Sequence, residues 1–365
     1  MEFNKTKVVE ALTKVMVPGK NQDLISLNMV RDLEISGNNI SFTLELPTMT
    51  MPGKEDLNFA CMEAVQDVYP TAQVHVHMMA LNRQAPPARN SMPQVRNIIA
   101  VASGKGGVGK STVSVNLALG LQKLGARVGL IDADLYGPSI PTMLGLQGQR
   151  PQVREMDGGH KIVPLQAYGL NVMSIGFIIE PEQAVVLRGP RLAAIIKQFF
   201  RDCLWPELDY LVVDLPPGTG DIQLTLVQTV SVTGAVLVTT PQQVAIADAI
   251  KAMNMFLLPS VDVPILGVVE NMSWFTPKEL PDNKYFIFGE GGGKEMAKLS
   301  KSVLLGQVPL IQGIREAGDQ GLPAILREDE PTLGAFFEKI AKQTAIQVAM
   351  RNESRPPTPV VNVKL

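Results

Sequence analysis

The sequence predicts an α/β protein with a mostly parallel, doubly wound sheet, preceded by a small α+β domain. From Asn97 onward, short apolar segments alternate with helical stretches, a pattern that is typical of βαβ units. Only 19% of the 365 residues are charged and 45% are hydrophobic, as expected when helices cover both faces of a parallel sheet. At about 150 residues per domain, this length corresponds to about two domains.

The composition argues against several classes of protein. The longest uncharged stretch, between Asp221 and Asp248, contains glutamines, threonines and a proline, so we expect no membrane span. The net charge of −2 predicts no nucleic-acid partner. The first residues lack the apolar segment of a signal peptide, and Cys61 and Cys203 are the only cysteines, which together indicate a reducing, cytoplasmic location.

Four segments are predicted along the chain. Residues 1–80 form the small α+β domain, residues 81–96 form a linker rich in proline and arginine, and residues 97–350 form the α/β domain. Residues 351–365, with several prolines, form a flexible tail. Within the first domain, the elements expected are a helix over 5–15, strands over 24–35 and 40–46, a helix over 52–67 and a strand over 73–79.

The α/β domain is predicted from its apolar runs. Strands are expected at 98–102, 128–131, 210–213, 235–239 and 265–269, with helices over 110–124 and 333–349. The sequence Asp157-Gly158-Gly159 between two short extended segments indicates an inserted hairpin.

A phosphate-binding loop follows the first of these strands. Gly104 to Ser111 fits G-x-x-x-x-G-K-[ST], between a strand and a helix, so the domain is expected to be a P-loop NTPase. Backbone N–H groups and the helix N-terminus face the anion, Lys110 reaches the β- and γ-phosphates, and Ser111 is a ligand of Mg²⁺. The nucleotide-binding residues predicted in this loop are Gly104, Lys105, Gly106, Gly107, Val108, Gly109, Lys110, Ser111 and Thr112.

Three aspartates follow predicted strands, where α/β proteins bind ligands. Asp214 ends an apolar strand, as in a Walker B motif, and is predicted to hold Mg²⁺ through water. Asp132 and Asp134 lie two apart after the preceding strand and share a face. Asp132 is expected to support either Mg²⁺ or Lys110, with helix capping as the alternative role for either aspartate.

The loop resembles the deviant Walker A motif of the MinD/ParA/nitrogenase-iron-protein group, because Lys105 directly follows its first glycine (KGGVGKS). The resemblance implies a nucleotide-sandwich homodimer in which Lys105 crosses to the partner's nucleotide. It also implies that Asp134 orients the attacking water and that the turn containing Gly218 and Asp221 senses the γ-phosphate. Asn271 matches the adenine-contacting position, where a carboxamide can both donate and accept hydrogen bonds.

Five longer motifs resemble those of the Mrp/ApbC iron–sulfur cluster carrier family, as does the order of the domains. They are Asp132–Pro141 (DADLYGPSIP), Leu211–Asp221 (LVVDLPPGTGD), Thr239–Gln242 (TTPQ), Val269–Ser273 (VENMS) and Ile314–Pro323 (IREAGDQGLP). The resemblance implies an ATPase, using ATP and Mg²⁺, that binds or transfers iron–sulfur clusters or assists their assembly. Its implied partners are a second copy of the chain, iron–sulfur assembly proteins and apoprotein recipients.

The sequence departs from this family at the cluster site. The family carries a C-x-x-C soon after the VENMS segment, where two subunits bridge a [4Fe–4S] cluster, whereas residues 274–293 contain no cysteine. Cys61 and Cys203 are expected in the core, and His75 and His77 at the surface, so no iron–sulfur ligands are evident.

Two alternative functions stay open. The first is a MinD/ParA-like spatial-positioning ATPase that carries no cluster, although the proline-rich C-terminus lacks a basic amphipathic membrane helix. The second is an adaptor that binds ATP without turnover, which the presence of Lys110 and Asp134 argues against.

Overall fold

The structure is a computed structural model. The residues that it describes are 3–18, 20, 22–46, 51, 53–80, 92–134, 137–156, 159–178, 189–358 and 360.

The N-terminal unit is a three-stranded sheet with two helices. Its elements are α1 (Lys5–Leu12), β1 (Val30–Ser36), β2 (Asn39–Leu46), α2 (Lys54–Val68) and β3 (Gln73–Ala80). Strand β2 lies in the middle, antiparallel to β1 and parallel to β3, so β2, α2 and β3 form a βαβ unit. The alternation of apolar residues from Ile40 to Leu46 correctly predicted β2, because its apolar side chains are buried.

The strand predicted over 24–35 is wrong in its first half. Residues 24–29 do not join the sheet, because the side chain of Asp23 accepts hydrogen bonds from the backbone N–H groups of Ile25 and Ser26 and from the Ser26 hydroxyl. These bonds favour a turn over an extended chain. Leu24 and Ile25 are nevertheless buried in the core of the unit, which explains the apolar run in the sequence.

The second unit is built on an eight-stranded sheet with the order β13-β12-β11-β4-β10-β5-β9-β8. Neighbouring strands are parallel except for β8 and β9, so the predicted, mostly parallel α/β sheet is confirmed. Its strands are β4 (Val95–Ala102), β5 (Val128–Asp132), β8 (Leu165–Ala167), β9 (Leu170–Ser174), β10 (Leu208–Asp214), β11 (Gly234–Thr239), β12 (Ile265–Phe275) and β13 (Leu304–Leu310).

Helices cover both faces of this sheet. They are α3 (Lys110–Lys123), α4 (Ile140–Met143), α5 (Gly189–Arg201), α6 (Asp221–Thr229), α7 (Gln243–Leu257), α8 (Gly292–Leu299), α9 (Gln312–Asp319) and α10 (Pro331–Ser354), with 3₁₀ turns at Ile175–Phe177 and Ala324–Leu326. One core packs α5, α6, α7 and α8 on the sheet, and a second core on the other face packs α3 and α10. Every residue of β5, β10 and β11 is buried, which accounts for the low charge of the sequence.

The predicted hairpin is present as an antiparallel ribbon, β6 (Gln152–Met156) and β7 (Gly159–Val163). The turn residues Asp157 and Gly158 lie outside the described residues. Strand β7 anchors the ribbon, because the Ile162 backbone exchanges hydrogen bonds with Asp202 and Leu204. Strand β6 is exposed along its whole length.

The predicted boundaries change at both ends of the α/β unit. Most of the predicted linker lies outside the described residues, but Met92 is buried and β4 already begins at Val95. The predicted tail starts too early, because α10 continues through Ser354. The Arg351 guanidinium then donates to Pro356 O and Thr358 Oγ1, which holds the chain beyond the helix against it.

Helix α10 also joins the two units. Its residues Ile346 and Ala349 belong to the apolar core of the N-terminal unit. The Leu33 backbone N–H donates to the Glu353 carboxylate, and the Asn352 side chain donates to Asn97 Oδ1 at 2.9 Å. The N-terminal unit therefore packs directly on the C-terminal helix. No helix in the described ranges is long and apolar enough to cross a membrane.

Candidate nucleotide-binding site

The site lies where three adjacent strands of the large sheet end. Strand β4 runs into the glycine-rich loop and α3, while its neighbour β10 ends at Asp214. Strand β5 ends at Asp132, which is the register partner of Asp214. The loop and the two carboxylates therefore meet at the carboxyl edge of the sheet, as the sequence predicts for an α/β ligand site.

Two loop glycines are required by close contacts within the protein. A Cβ at Gly104 would lie 2.0 Å from the Asp248 backbone in α7, and one at Gly109 would lie 2.1 Å from Asn271 Nδ2. Gly109 also has a φ of +81° as the N-cap of α3. Gly106 and Gly107 line the cleft, and no protein atom would lie closer than 3.9 Å to a Cβ added at either position. These are therefore the two glycines that a phosphate can approach closely.

Lys110 and Asp214 form the buried centre of the site. The Lys110 ammonium donates to Asp214 Oδ1 at 2.8 Å, and Ser111 donates to Asp214 Oδ2 at 2.5 Å. Ser114, one turn further along α3, donates to Asp214 Oδ1 at 2.6 Å. The Asp214 side chain is fully buried and Lys110 is only 6% exposed. Charge-assisted bonds in such a buried place are strong, so the ammonium and the hydroxyl are held rigidly at the base of the cleft.

Asp132 and Asp134 lie beside this centre in different surroundings. Asp132 is fully buried; Ser174 donates to its Oδ2 at 2.9 Å, and the Asp134 backbone N–H donates to its Oδ1 at 3.1 Å. Burial, followed by the negative charge of Asp214, raises the pKa of Asp132 to about 8. Asp134 lines the cleft, with Oδ2 3.4 Å from the Lys110 ammonium. Lys110 thus forms direct ion pairs with Asp214 and Asp134, and its charge also acts on the neighbouring Asp132, whose pKa it lowers against the effect of burial.

Asn271 and Glu270 extend the site along β12. The Asn271 side chain donates to the Val108 carbonyl at 2.9 Å, which ties β12 to the loop. The Glu270 carboxylate is buried and accepts from the Gly293 N–H at the start of α8 and from the Gln307 side chain, both at 2.6 Å. Glu270 therefore fixes the helix that follows the loop after β12, immediately beside the predicted adenine contact.

The predicted switch turn contacts the glycine-rich loop. Gly218 adopts a φ of +91°, and its N–H donates to the Ser103 carbonyl at 2.8 Å. The buried Gln223 side chain donates to the carbonyls of Pro216 and Gly218 at 2.8 and 3.0 Å. Asp221 is exposed at the start of α6. A change in this turn would therefore be transmitted directly to Ser103 in the loop.

The cleft above these groups has a volume of about 400 Å³. Its lining includes Ser103, Lys105, Gly106, Gly107, Gly109, Lys110, Ser111, Thr112, Asp134, Gly137, Ser139, Met143 and Pro217. Lys105 is exposed at its rim. Leu135 and Tyr136, which belong to the DLYGPSIP motif, lie outside the described residues.

The residues at the base of the cleft fit Mg²⁺. The hydroxyl of Ser111 and the carboxylate of Asp214 are hard oxygen donors in contact with each other, and Mg²⁺ in nucleotide sites takes one or two protein oxygens together with phosphates and waters. In the described part of the chain, no group of three or more His, Cys, Asp or Glu side chains could hold a metal alone. An ion at this site would therefore depend on the nucleotide's oxygens.

The residues do not fit an iron–sulfur cluster. Cys61 in α2 and Cys203 beside β7 are both buried, as predicted, and burial raises the pKa of each thiol to about 12. Clusters are held by several thiolates that lie together, whereas these two thiols are buried in the apolar cores of different units. His75 and His77 are exposed on β3, as expected. Within the described ranges, the chain therefore presents no set of thiolates that fits a cluster.

Four polar residues of the site were not predicted from the sequence. They are Ser114, Ser174, Gln223 and Glu270. Ser114 follows Lys110 by one helical turn, so the spacing i, i+4 could have identified it. Ser174 is the register partner of Asp132 on β9, a pairing that only the strand order shows.

Replacing Glu270 with glutamine is expected to lower the free energy of unfolding by about 1–3 kcal/mol, because an amide can keep only one of the two buried acceptor bonds. Affinity for ATP should also fall, since Asn271 follows directly. Urea denaturation and ATP titration measure the two effects. Glu279→Gln, at an exposed position, is the matched control. If Glu270→Gln unfolds at the same urea concentration as the wild type, Glu270 does not stabilise the fold in this way.

Comparisons with known proteins agree with this site. The family described as NUBPL iron-transfer P-loop NTPase matches residues 94–345, and the family described as iron-sulfur cluster assembly protein matches residues 5–77. A relative from Synechocystis sp., named iron-sulfur cluster carrier protein, is 47% identical over 345 residues, which cover 94% of this chain and 97% of the relative.

Two solved structures share the fold of the second unit. A nucleotide-binding protein from Archaeoglobus fulgidus in complex with ADP is 37% identical, covers 67% of this chain and 93% of its own, and has a TM-score of 0.56. The septum site-determining protein MinD from Pyrococcus horikoshii, complexed with Mg-ADP, is 23% identical, covers 68% and 95%, and has a TM-score of 0.51. Both the sequence matches and the buried Lys110–Asp214 centre lead to the same assignment: the chain belongs to the family of NUBPL iron-transfer P-loop NTPases.

Proposed function

We propose that this protein is a homodimeric Mg-ATP-dependent ATPase that assists the assembly of iron–sulfur clusters or their transfer to apoproteins. The observation that carries the proposal is the arrangement at Asp214, which accepts hydrogen bonds from Lys110, Ser111 and Ser114 beneath a glycine-rich loop. The relative in Synechocystis sp. is named a cluster carrier and matches almost the whole chain.

Each residue of the site has a proposed role in hydrolysis. Lys110 binds the β- and γ-phosphates. Ser111 holds Mg²⁺ directly and Asp214 holds it through water. The buried Asp132 supports this Mg²⁺ site. Asp134 faces the cleft and orients the attacking water. These roles are supported by the distances at the base of the cleft, where the ammonium lies 2.8 Å from one carboxylate and 3.4 Å from the other.

The remaining residues have proposed roles in binding adenine, in sensing the γ-phosphate and in forming the dimer. Asn271 contacts adenine. The turn with Gly218 and Asp221 reports the γ-phosphate to the loop through Ser103. Lys105, exposed at the rim, reaches the nucleotide of a second copy. Hydrolysis is expected to be slow and coupled to the state of the dimer, because the complete site then includes a residue from each subunit.

The cluster is the cargo of this reaction, and the thiolates that hold it belong to another protein. The two buried thiols of the chain support this view, since neither is placed to bind iron. The proposed partners are cytoplasmic iron–sulfur assembly proteins and apoprotein recipients. A spatial-positioning ATPase remains the alternative, and the test below separates the two.

The test follows the activation of a [4Fe–4S]-dependent apoenzyme supplied with ferrous iron, sulfide and a thiol under argon. We expect the full-length protein with Mg-ATP to increase the rate of activation, and Asp134→Ala with Mg-ATP to give no increase. ATP hydrolysis without any effect on activation would favour the positioning alternative. Binding of ATP without phosphate release would favour the adaptor.

A further inference from the structure

The side chain of Gln223 is fully buried against the turn that leads into α6. Its amide nitrogen donates two hydrogen bonds to this turn, to the Pro216 carbonyl at 2.8 Å and to the Gly218 carbonyl at 3.0 Å. An amide nitrogen carries two hydrogens, so both donors of the side chain are used. Gln223 therefore holds the turn from below, although it does not line the nucleotide cleft.

The other end of the same amide is not satisfied. Gln223 Oε1 is buried and has no hydrogen-bond partner among the residues that the structure describes. A buried acceptor without a donor destabilises the conformation that contains it. The position of the turn seen here is therefore one in which Gln223 uses its donors and gives up its acceptor.

The start of α6 offers a donor for this acceptor. Gly220 is the N-cap of the helix, and Gln223 is its third residue. In a capping box, Gln or Glu at this third position accepts a hydrogen bond from the backbone N–H of the N-cap residue. Here Oε1 lies 3.7 Å from the position of a Cβ built on Gly220, while the amide nitrogen points to the turn. Gln223 thus has two alternative sets of partners within one short segment.

The turn is connected to the glycine-rich loop by further hydrogen bonds. The Gly218 N–H donates to the Ser103 carbonyl at 2.8 Å, and the Ser103 hydroxyl donates to the Lys105 carbonyl at 3.0 Å. Pro217, beside Gly218, lines the nucleotide cleft. Because the Gly218 N–H carries a single hydrogen, a γ-phosphate that accepts it must take it from Ser103. The turn therefore has one position bonded to Ser103 and another bonded to the nucleotide.

We propose that Gln223 is the positioning residue that sets the balance between these two positions. Without a γ-phosphate, its amide nitrogen holds the turn against Ser103. When the γ-phosphate draws the turn into the cleft, the amide releases the carbonyls of Pro216 and Gly218, and Oε1 accepts from the Gly220 N–H. The inference rests on the proposed ATPase and names the residue that regulates its sensing turn.

Two substitutions of Gln223 affect the two positions differently. A carboxylate cannot donate to the carbonyls but can still accept from the Gly220 N–H, so Gln223→Glu loses only the position bonded to Ser103. Gln223→Leu loses the partners of both positions, two bonds in one and one bond in the other. The position bonded to the nucleotide is thus favoured most in the Glu variant, less in the Leu variant and least in the wild type.

The test compares the affinities of full-length variants for a non-hydrolysable ATP analogue and for ADP, by calorimetry in Mg²⁺. Gln223→Glu should bind the analogue about three- to tenfold more tightly than the wild type, as expected for the loss of one or two opposing hydrogen bonds, and Gln223→Leu about two- to threefold more tightly. The affinity for ADP should stay unchanged, because ADP carries no group that moves the turn. Unchanged binding of ADP also shows that the variants are folded.

A matched control lies further along the same helix. Gln228→Glu makes the same chemical change at a half-buried position of α6, and it should leave the ratio of the two affinities unchanged. If both Gln223 variants weaken ADP and the analogue in parallel, or keep the wild-type ratio, Gln223 only supports the fold and the inference is overturned. If the wild type binds neither nucleotide, the proposed function itself fails.

Amide exchange tests the turn without any nucleotide. In protein labelled with ¹⁵N-glycine, the Gly218 N–H of the wild type should exchange slowly, because it is bonded to Ser103. In Gln223→Glu, exchange should become at least about threefold faster at Gly218 and slower at Gly220. Wild-type exchange at both glycines in this variant would contradict the role of Gln223, whatever the ATPase does. If Gln223→Glu does not fold, Gln223→Leu should still show the faster exchange at Gly218.

Discussion

Lys110→Ala is expected to reduce the kcat for ATP hydrolysis at least about 100-fold and to weaken ATP binding as well. The Lys110 ammonium is buried at the base of the cleft, 2.8 Å from Asp214 and 3.4 Å from Asp134, so it supplies a fixed positive charge to phosphate oxygens that would otherwise approach two carboxylates. Removing it also leaves Asp132 and Asp214 buried side by side without their nearby cation. The free energy of unfolding should therefore fall by about 3 kcal/mol. Phosphate release, ATP titration and urea denaturation measure the three effects.

The matched control for Lys110 is another lysine on the same helix. Lys123→Ala removes an exposed lysine at the end of α3, whose ion pair with Glu338 lies on the surface. Its loss should change stability by no more than about 1 kcal/mol and leave hydrolysis unchanged. Wild-type phosphate release by Lys110→Ala would show that the nucleotide site has been misplaced.

Asp134→Ala is expected to reduce kcat by about 10²–10⁴-fold while leaving ATP affinity close to that of the wild type. Asp134 lines the cleft but lies further from the Lys110 ammonium than Asp214 does, at 3.4 Å against 2.8 Å. Its loss should therefore remove the group that orients water without disturbing the Lys110–Asp214 pair. Single-turnover hydrolysis and equilibrium binding of ATP separate these two effects.

Ser139 offers a control for Asp134. It lines the same cleft but carries no charge, and Ser139→Ala should change kcat by less than about threefold. Loss of ATP binding in Asp134→Ala, in parallel with its loss of hydrolysis, would indicate that this carboxylate supports the phosphate site. The role in orienting water would then be wrong.

The main features of the site were predictable because they are encoded locally. The glycine-rich loop is a continuous motif between a strand and a helix, and Asp214 and Asp132 each end an apolar run. Once the sheet is parallel, the ends of its strands meet at one edge, so these residues converge without further information. The parallel sheet itself was predicted from the alternation of apolar segments and helical stretches in the sequence.

Other features depend on pairings that are remote in sequence. Ser174 reaches Asp132 only because β9 lies beside β5, and Glu270 reaches Gly293 only because α8 returns to β12. A strand was predicted at Leu24 and Ile25 because these residues are apolar. They are apolar because the turn is buried in the core, and they do not pair with a strand. Apolar runs therefore predict burial more reliably than they predict the element that is buried.

The attachment of the N-terminal unit was also not predictable from the sequence. A proline-rich linker indicates independent domains, yet Ile346 and Ala349 of α10 complete the apolar core of the first unit. Because α10 also packs against α3, which begins at the phosphate loop, the two units share one continuous framework. Motion of the loop with nucleotide state could thus reach the N-terminal unit through α10.

We expect this chain to hydrolyse ATP while holding no cluster with its own thiolates. Anaerobic reconstitution of the full-length protein with iron and sulfide, followed by desalting and quantification of both elements, tests it most directly. We predict fewer than about one iron per dimer and no charge-transfer absorption band in the visible range, in protein that still hydrolyses ATP. About four iron and four sulfide per dimer, with a band that survives desalting, would show that the chain holds a cluster with its own side chains.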